Sequence, residues 1–167
     1  VTGGTIVLDG IYNATGITGD AAGITFTGAV QLAGDVTVDS DVTGTTIDGN
    51  ISFSSTVDDD GAGGTTSNLV VKSGAGTIGI TGDLGAGTAL TSVTLNASDS
   101  YTGTGAITLS ADIGDTAAAG VSGDTKIGNT GTTEIDLGGT LYRTGGGGNA
   151  TDITTYTASG TAADGTG

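Results

Sequence analysis

The sequence holds no cysteine, histidine, proline, methionine or tryptophan. Without cysteine there is no disulfide framework, no thiolate metal site and no thiol nucleophile. Without histidine the commonest general base and metal ligand is missing. Aromatic residues make up 4% of the chain and hydrophobic residues 35%, so the large side chains of an ordinary core are scarce. Cations are scarce too: Lys72, Lys126 and Arg143 stand against 18 acidic residues, a net charge of -15, and every acid but Glu134 is an aspartate. Such a surface repels phosphate backbones and anionic headgroups, which argues against nucleic-acid and membrane partners. No apolar run approaches the roughly 18 residues of a membrane helix, and no signal-peptide pattern occurs within the chain. With no methionine, the chain starts at Val1. The expectation is a processed mature protein, or a segment of a longer one, exported to the cell surface or beyond.

What the chain does hold is glycine, 35 residues in 167, with abundant threonine. Glycine is costly inside helices and threonine favours strands, so the mixture points to β-structure. High glycine and high charge also occur in disordered chains. Here the aliphatic residues recur too regularly for that. Gly23 to Val38 carries three apolar pairs, Ile24/Phe26, Val30/Leu32 and Val36/Val38. Each pair is two residues apart and so leaves one face of an extended chain. Small corners, Thr27-Gly28-Ala29 and Ala33-Gly34-Asp35, separate the pairs.

The same phrase returns along the chain. Strands are expected in Gly4–Gly10 (Ile6, Leu8), Thr46–Ser54 (Ile47, Ile51, Phe53, with a turn at Asp48-Gly49-Asn50) and Asn68–Ser73 (Leu69, Val71). Further strands are expected in Thr77–Thr81, Ser92–Ala97, Ala106–Ser110, Glu134–Leu137 and Leu141–Arg143, with a weak last one in Asp152–Thr157. Asn13–Ala22 reads as a connection, and Val57–Ser67 as an exposed loop. The pattern fades between Ala111 and Gly123, where Ala117–Ala119 suits a loop better than a helical turn. Gly145–Gly148 is a break, and Ser159–Gly167 a flexible tail or linker. Residues 1–158 therefore form one strand-repeat domain and 159–167 a tail.

Strands this short suit a solenoid, in which each stacks on its counterpart one coil away, better than hairpins. Internal echoes agree: Gly23-Ile-Thr-Phe-Thr-Gly with Asn50-Ile-Ser-Phe-Ser-Ser, and Gly105-Ala-Ile-Thr-Leu-Ser-Ala-Asp with Gly28-Ala-Val-Gln-Leu-Ala-Gly-Asp. Segments from near Val1, Gly23, Thr45, Thr66 and Thr91 give coils of about 20–25 residues. The expected fold is all-β, a parallel β-helix. The alternative is an antiparallel β-sandwich pilin with donor-strand exchange through the strand at Ile6–Leu8 or at Ile153.

The runs Ile51-Ser-Phe-Ser-Ser-Thr-Val-Asp, Asn68-Leu-Val-Val-Lys-Ser-Gly, Thr88-Ala-Leu-Thr-Ser-Val-Thr-Leu-Asn-Ala and Gly105–Asp112 resemble the Gly/Thr-rich repeats of giant bacterial surface proteins. These are the filamentous-haemagglutinin-like and autotransporter-like adhesins. The resemblance covers roughly residues 20–112. It implies a right-handed parallel β-helix, secretion and a role at the cell surface, and it brings no catalytic residues.

No catalytic constellation stands out. Asp58-Asp59-Asp60-Gly61 is the sharpest charge cluster, and calcium is the one candidate cofactor. The EF-hand spacing is missing, Gly145–Asp152 only superficially resembles a calcium roll, and a solvated loop is the favoured reading. Asp39 and Asp41 are weaker candidates. Three scattered cations and few aromatics argue against a polysaccharide-cleaving enzyme, and no pair of carboxylates is singled out for a glycosidase. Thr25/Thr27, Thr43/Thr45, Thr102/Thr104 and Thr155/Thr157 allow an ice-binding face, but threonine as the polar partner of alternating strands explains them. Asn13, Asn50, Asn96 and Asn149 each open an Asn-x-Ser/Thr triplet.

The expected function is a non-enzymatic extracellular structural protein that self-associates end to end into a surface filament or stalk. The alternative is an adhesin repeat module binding a glycan or host protein.

Overall fold

The structure is a computed structural model that describes residues 1–14, 23–41, 48–62, 67–96, 105–116, 120–129 and 131–145, and the backbone of 153–156. Among the described residues there is no helix. The strands are β1 (Thr5–Asn13), β2 (Ile24–Phe26), β3 (Ala29–Asp39), β4 (Ile51–Phe53), β5 (Val57–Asp59), β6 (Asn68–Lys72), β7 (Ile78–Ile80), β8 (Ser92–Asn96), β9 (Ala106–Leu109), β10 (Thr125–Gly128), β11 (Glu134–Leu137) and β12 (Ile153–Tyr156). Every strand pairing is parallel. The chain is a β-solenoid, and the antiparallel sandwich is excluded.

One sheet runs β1-β3-β6-β8-β10-β12, with β5 also paired to β3. The other runs β2-β4-β7-β9-β11. A third face is held by single bridges, Val57–Leu84–Ile113–Tyr142 and Leu90–Val121–Thr144. Chain direction and alternation together place one residue type over another, coil after coil. Ile24, Ile51, Ile78, Ile107 and Ile135 form one inward rank. Phe26, Phe53, Ile80, Leu109 and Leu137 form the next. Phe26 and Phe53 stack with ring centroids 4.8 Å apart at 17°. Ile6, Val30, Val57, Leu84, Ile113 and Tyr142 make a third rank, on the corner face. The narrow core is thus filled from one or two inward residues per face, which is why so few aromatics suffice.

Several expectations need correction. Ala33-Gly34-Asp35 is not a corner: β3 runs unbroken from Ala29 to Asp39. The register against β1 shifts there, Leu8 facing Leu32 but Gly10 facing Val36, so these residues are a bulge in a continuous strand. In the next coil β5 and β6 split the same span in two. Val57–Ser67 is not simply an exposed loop, because it opens with β5 and buries Val57, Asp59 and Ser67. The coils are longer than expected: the isoleucine rank advances by 27, 27, 29 and 28 residues. The Ile24/Ile51 echo is a true register match. The Gly105 echo is not, since β9 stacks with β7 and β11 rather than with β3. Ile47, Ala117–Ala119 and Ser159–Gly167 lie outside the described residues.

Glycine is demanded where coils come closest. Gly85 has φ +65°, and a Cβ there would strike the backbone of Gly120 in the next coil. Gly85→Ala is therefore expected to cost about 1–3 kcal/mol, read as a lowered urea midpoint with unchanged slope.

Candidate functional site

The aspartates that dominate the charge are, among the described residues, largely engaged in hydrogen bonds. Asp35 accepts from the Asn68 N–H at 3.0 Å and from its Nδ2 at 2.9 Å. Asp48 accepts from Ala75 N at 2.8 Å, Asp58 from Gly87 N at 2.7 Å and Asp83 from Asp112 N at 3.1 Å. Asp112 accepts from Thr140 N at 2.6 Å and Leu141 N at 3.0 Å. In each case the acceptor lies in one coil and the donor 27 to 33 residues on, in the next. The corners interrupt the sheet ladder, and a short side chain with two acceptor oxygens satisfies the N–H groups left over. Asn50 does the same for Thr77 N at 2.9 Å.

The calcium candidate belongs to this system. Asp59 is 2% exposed. Its Oδ2 accepts from Ser67 N and Ser67 Oγ, each at 2.8 Å, and its Oδ1 from Gly61 N at 2.8 Å. Asp58 points to Gly87, and Asp60 accepts from Ala62 N at 2.8 Å. The three carboxyls thus serve three separate groups of amides. Among the described residues no three acidic side chains converge as metal ligands do. Asp39 accepts from Asp41 N at 2.9 Å and lies 3.7 Å from Lys72 Nζ. Of Gly145–Asp152, only Gly145 is described.

Threonines do not form a continuous outward row. The outer rank of the larger sheet reads Ile11, Thr37, Val70, Thr94, Lys126. That of the smaller sheet reads Thr25, Ser52, Gly79, Thr108, Asp136. The flat threonine face of the ice-binding reading is therefore absent among the described residues. Thr43/Thr45, Thr102/Thr104 and the side chain of Thr155 fall outside them. Asn13 and Asn50 are exposed, Asn96 is half-buried and receives Asn129 Nδ2 at 2.6 Å, and Asn149 is outside the described residues.

The pH dependence of the corners can be read at Asp112. The Thr140 and Leu141 amides hold its carboxyl below the ordinary carboxylate value, against a smaller opposing effect of burial. A depressed folded pKa gives stability that is present above the unfolded value of about 3.9 and lost as pH falls through the folded one. The amides of Thr140 and Leu141 should lose exchange protection on acidification below about pH 4. Asp112→Asn should remove that acid-dependent step, which hydrogen exchange followed by NMR would check. Beside it, burial pushes the Tyr142 phenol above its usual value, although the Gly139 N–H donates to Oη at 2.8 Å.

The remaining distinctive feature is the pair of ends. β1 and β2 close the two sheets on one side, β12 and β11 on the other, and no described strand lies beyond them. Inward residues at the ends are unevenly covered: Ile6 is 7% exposed and Ile135 6%, but Val1 is 66% exposed. Among the described residues, each terminal strand pairs with a strand on one side only. The class so defined is a parallel β-solenoid with a small aliphatic core. Compared with protein-family models, curated proteins and solved structures, the chain matches none.

Proposed function

We propose that this chain is a non-enzymatic extracellular structural protein that assembles end to end into a surface filament or stalk. The observation that carries this reading is that, among the described residues, the strand at each end of both sheets is paired on one side only. A parallel edge is a template for strand addition, and a parallel solenoid presents opposite edges at its two ends. Heterologous contact between such ends does not close, so it propagates. The engagement of the aspartates in coil-to-coil hydrogen bonds supports a structural rather than a catalytic use of the acids. Resemblance to the repeats of bacterial surface adhesins supports the extracellular setting.

Electron microscopy and sedimentation of the 167-residue chain test the reading. Fibrils lengthening with concentration are expected. Ile11 lies on the outward side of β1 and is 72% exposed, so Ile11→Lys leaves the core untouched while placing a charge at the edge. That variant should keep its thermal midpoint and form shorter fibrils. A wild-type chain that stays monodisperse at millimolar concentration would overturn the proposal and favour a repeat module projected within a longer adhesin.

A further inference from the structure

The two ends match each other rank by rank. Thr27 N donates to the Val1 carbonyl and the Val1 amino group to the Thr25 carbonyl, which places Val1 opposite Phe26. Among the described residues the phenylalanine rank therefore runs from Val1 to Leu137. The corner rank begins at Ile6 and ends at Tyr142. On the larger sheet, Gly10, Val36, Leu69, Val93, Thr125 and Ile153 run from β1 to β12. Among the described residues, all three ranks pass through the same number of levels.

Side-chain chemistry at the ends is complementary as well. Hydroxyls repeatedly donate back to the preceding coil: Thr27 Oγ1 to the Val1 carbonyl at 3.3 Å, Thr81 Oγ1 to the Phe53 carbonyl at 3.2 Å. In this column Thr2 heads the first coil and would need a carbonyl where the last coil offers that of Leu137. Arg143 is exposed and forms no ion pair among the described residues. It lies in the outward rank of Val7, Gln31 and Asp58. Two positions along β1 from Val7 stands Asp9, the only acid among residues 1–14. The described large apolar residues that remain exposed, Val1, Val7 and Ile11, all belong to this first coil.

Resting on the filament reading above, the geometry points to one register for the contact: the first coil of a second copy of this chain seats on the last coil as a continuation of the ranks. Val1 of the second copy lies over Leu137, Ile6 over Tyr142, and Gly10–Asn13 along Ile153–Tyr156. Arg143 covers Val7 with its aliphatic stem and pairs with Asp9, whose Cα falls about 8 Å away at ordinary strand and coil spacings. Six levels at about 4.8 Å give a subunit repeat of about 29 Å along the fibre.

Cysteine pairs test the register, since the chain has no cysteine of its own. Val7→Cys with Arg143→Cys should give, on oxidation, a ladder of covalent multimers in non-reducing gels. Within one copy these positions stand at opposite ends, so an internal bridge is excluded. Val7→Cys with Lys126→Cys, one level lower and in another rank, should give at least tenfold less. Separately, Asp9→Arg and Arg143→Glu should each raise the concentration needed for assembly about fivefold, and the double exchange should restore it. Fibres that form while neither the first cysteine pair nor the charge exchange behaves in this way would overturn the register and leave the filament standing. A chain that remains monomeric and uncrosslinked would overturn both, and would mean that further coils or a different partner cover these edges.

Discussion

Phe53→Ala is expected to lower the folding stability by about 3–5 kcal/mol. Phe53 is fully buried and stacked on Phe26, and β4 offers only Ile51 and Phe53 to the core. Truncation removes the larger of the two inward side chains of β4 and the ring contact, itself worth about 0.5–1.5 kcal/mol. Because a solenoid level touches only its neighbours, the loss also uncouples the first two coils from the rest. Urea unfolding should then show a lower midpoint and a broadened, two-step transition. Phe53→Leu is expected to cost about 1.5 kcal/mol or less, since the same rank is already filled by Ile80 and Leu109 one and two coils on. If alanine and leucine prove equally mild, the phenylalanine stack is not a core element.

How far these features could be read beforehand depended on alternation. Where two inward residues flank an outward one, as at Ile24/Phe26, Leu69/Val71 or Ile107/Leu109, strand and facing were legible from spacing alone. Leu84, Leu90, Ile113 and Val121 were not, because the corner face takes a single inward residue at each bridge and leaves no pattern of two. Coil length is not legible for a related reason. The connections differ from coil to coil, so Val36 to Leu69 spans 33 residues but Leu69 to Val93 only 24. Composition also concealed the work of the acids. In a sequence, an aspartate bound to the next coil's amides looks the same as one that only solvates a loop.

Asp59 is the sharpest case, and Asp59→Ala the second large effect. It occupies the rank of Leu8 and Leu32, an inward position where alternation calls for an aliphatic residue. The chain instead turns out of β5 at this point, and the carboxyl gathers Gly61 N, Ser67 N and Ser67 Oγ, which fastens the start of β6 to the end of β5. Alanine leaves Ser67, 3% exposed, with a buried amide lacking that acceptor and a hydroxyl that keeps only the Leu32 carbonyl, at 3.3 Å. Each such group costs about 1–3 kcal/mol, so a total loss of about 2–4 kcal/mol is expected. Asn retains one acceptor oxygen and should fall between alanine and the native residue. The same variant separates the structural role from calcium binding. If Asp59 acts only through these hydrogen bonds, the loss is the same in excess calcium and in chelator. A native chain stabilised by calcium at this corner, with Asp59→Ala unresponsive, would instead mean that the carboxyls of Asp58, Asp59 and Asp60 rearrange around the ion.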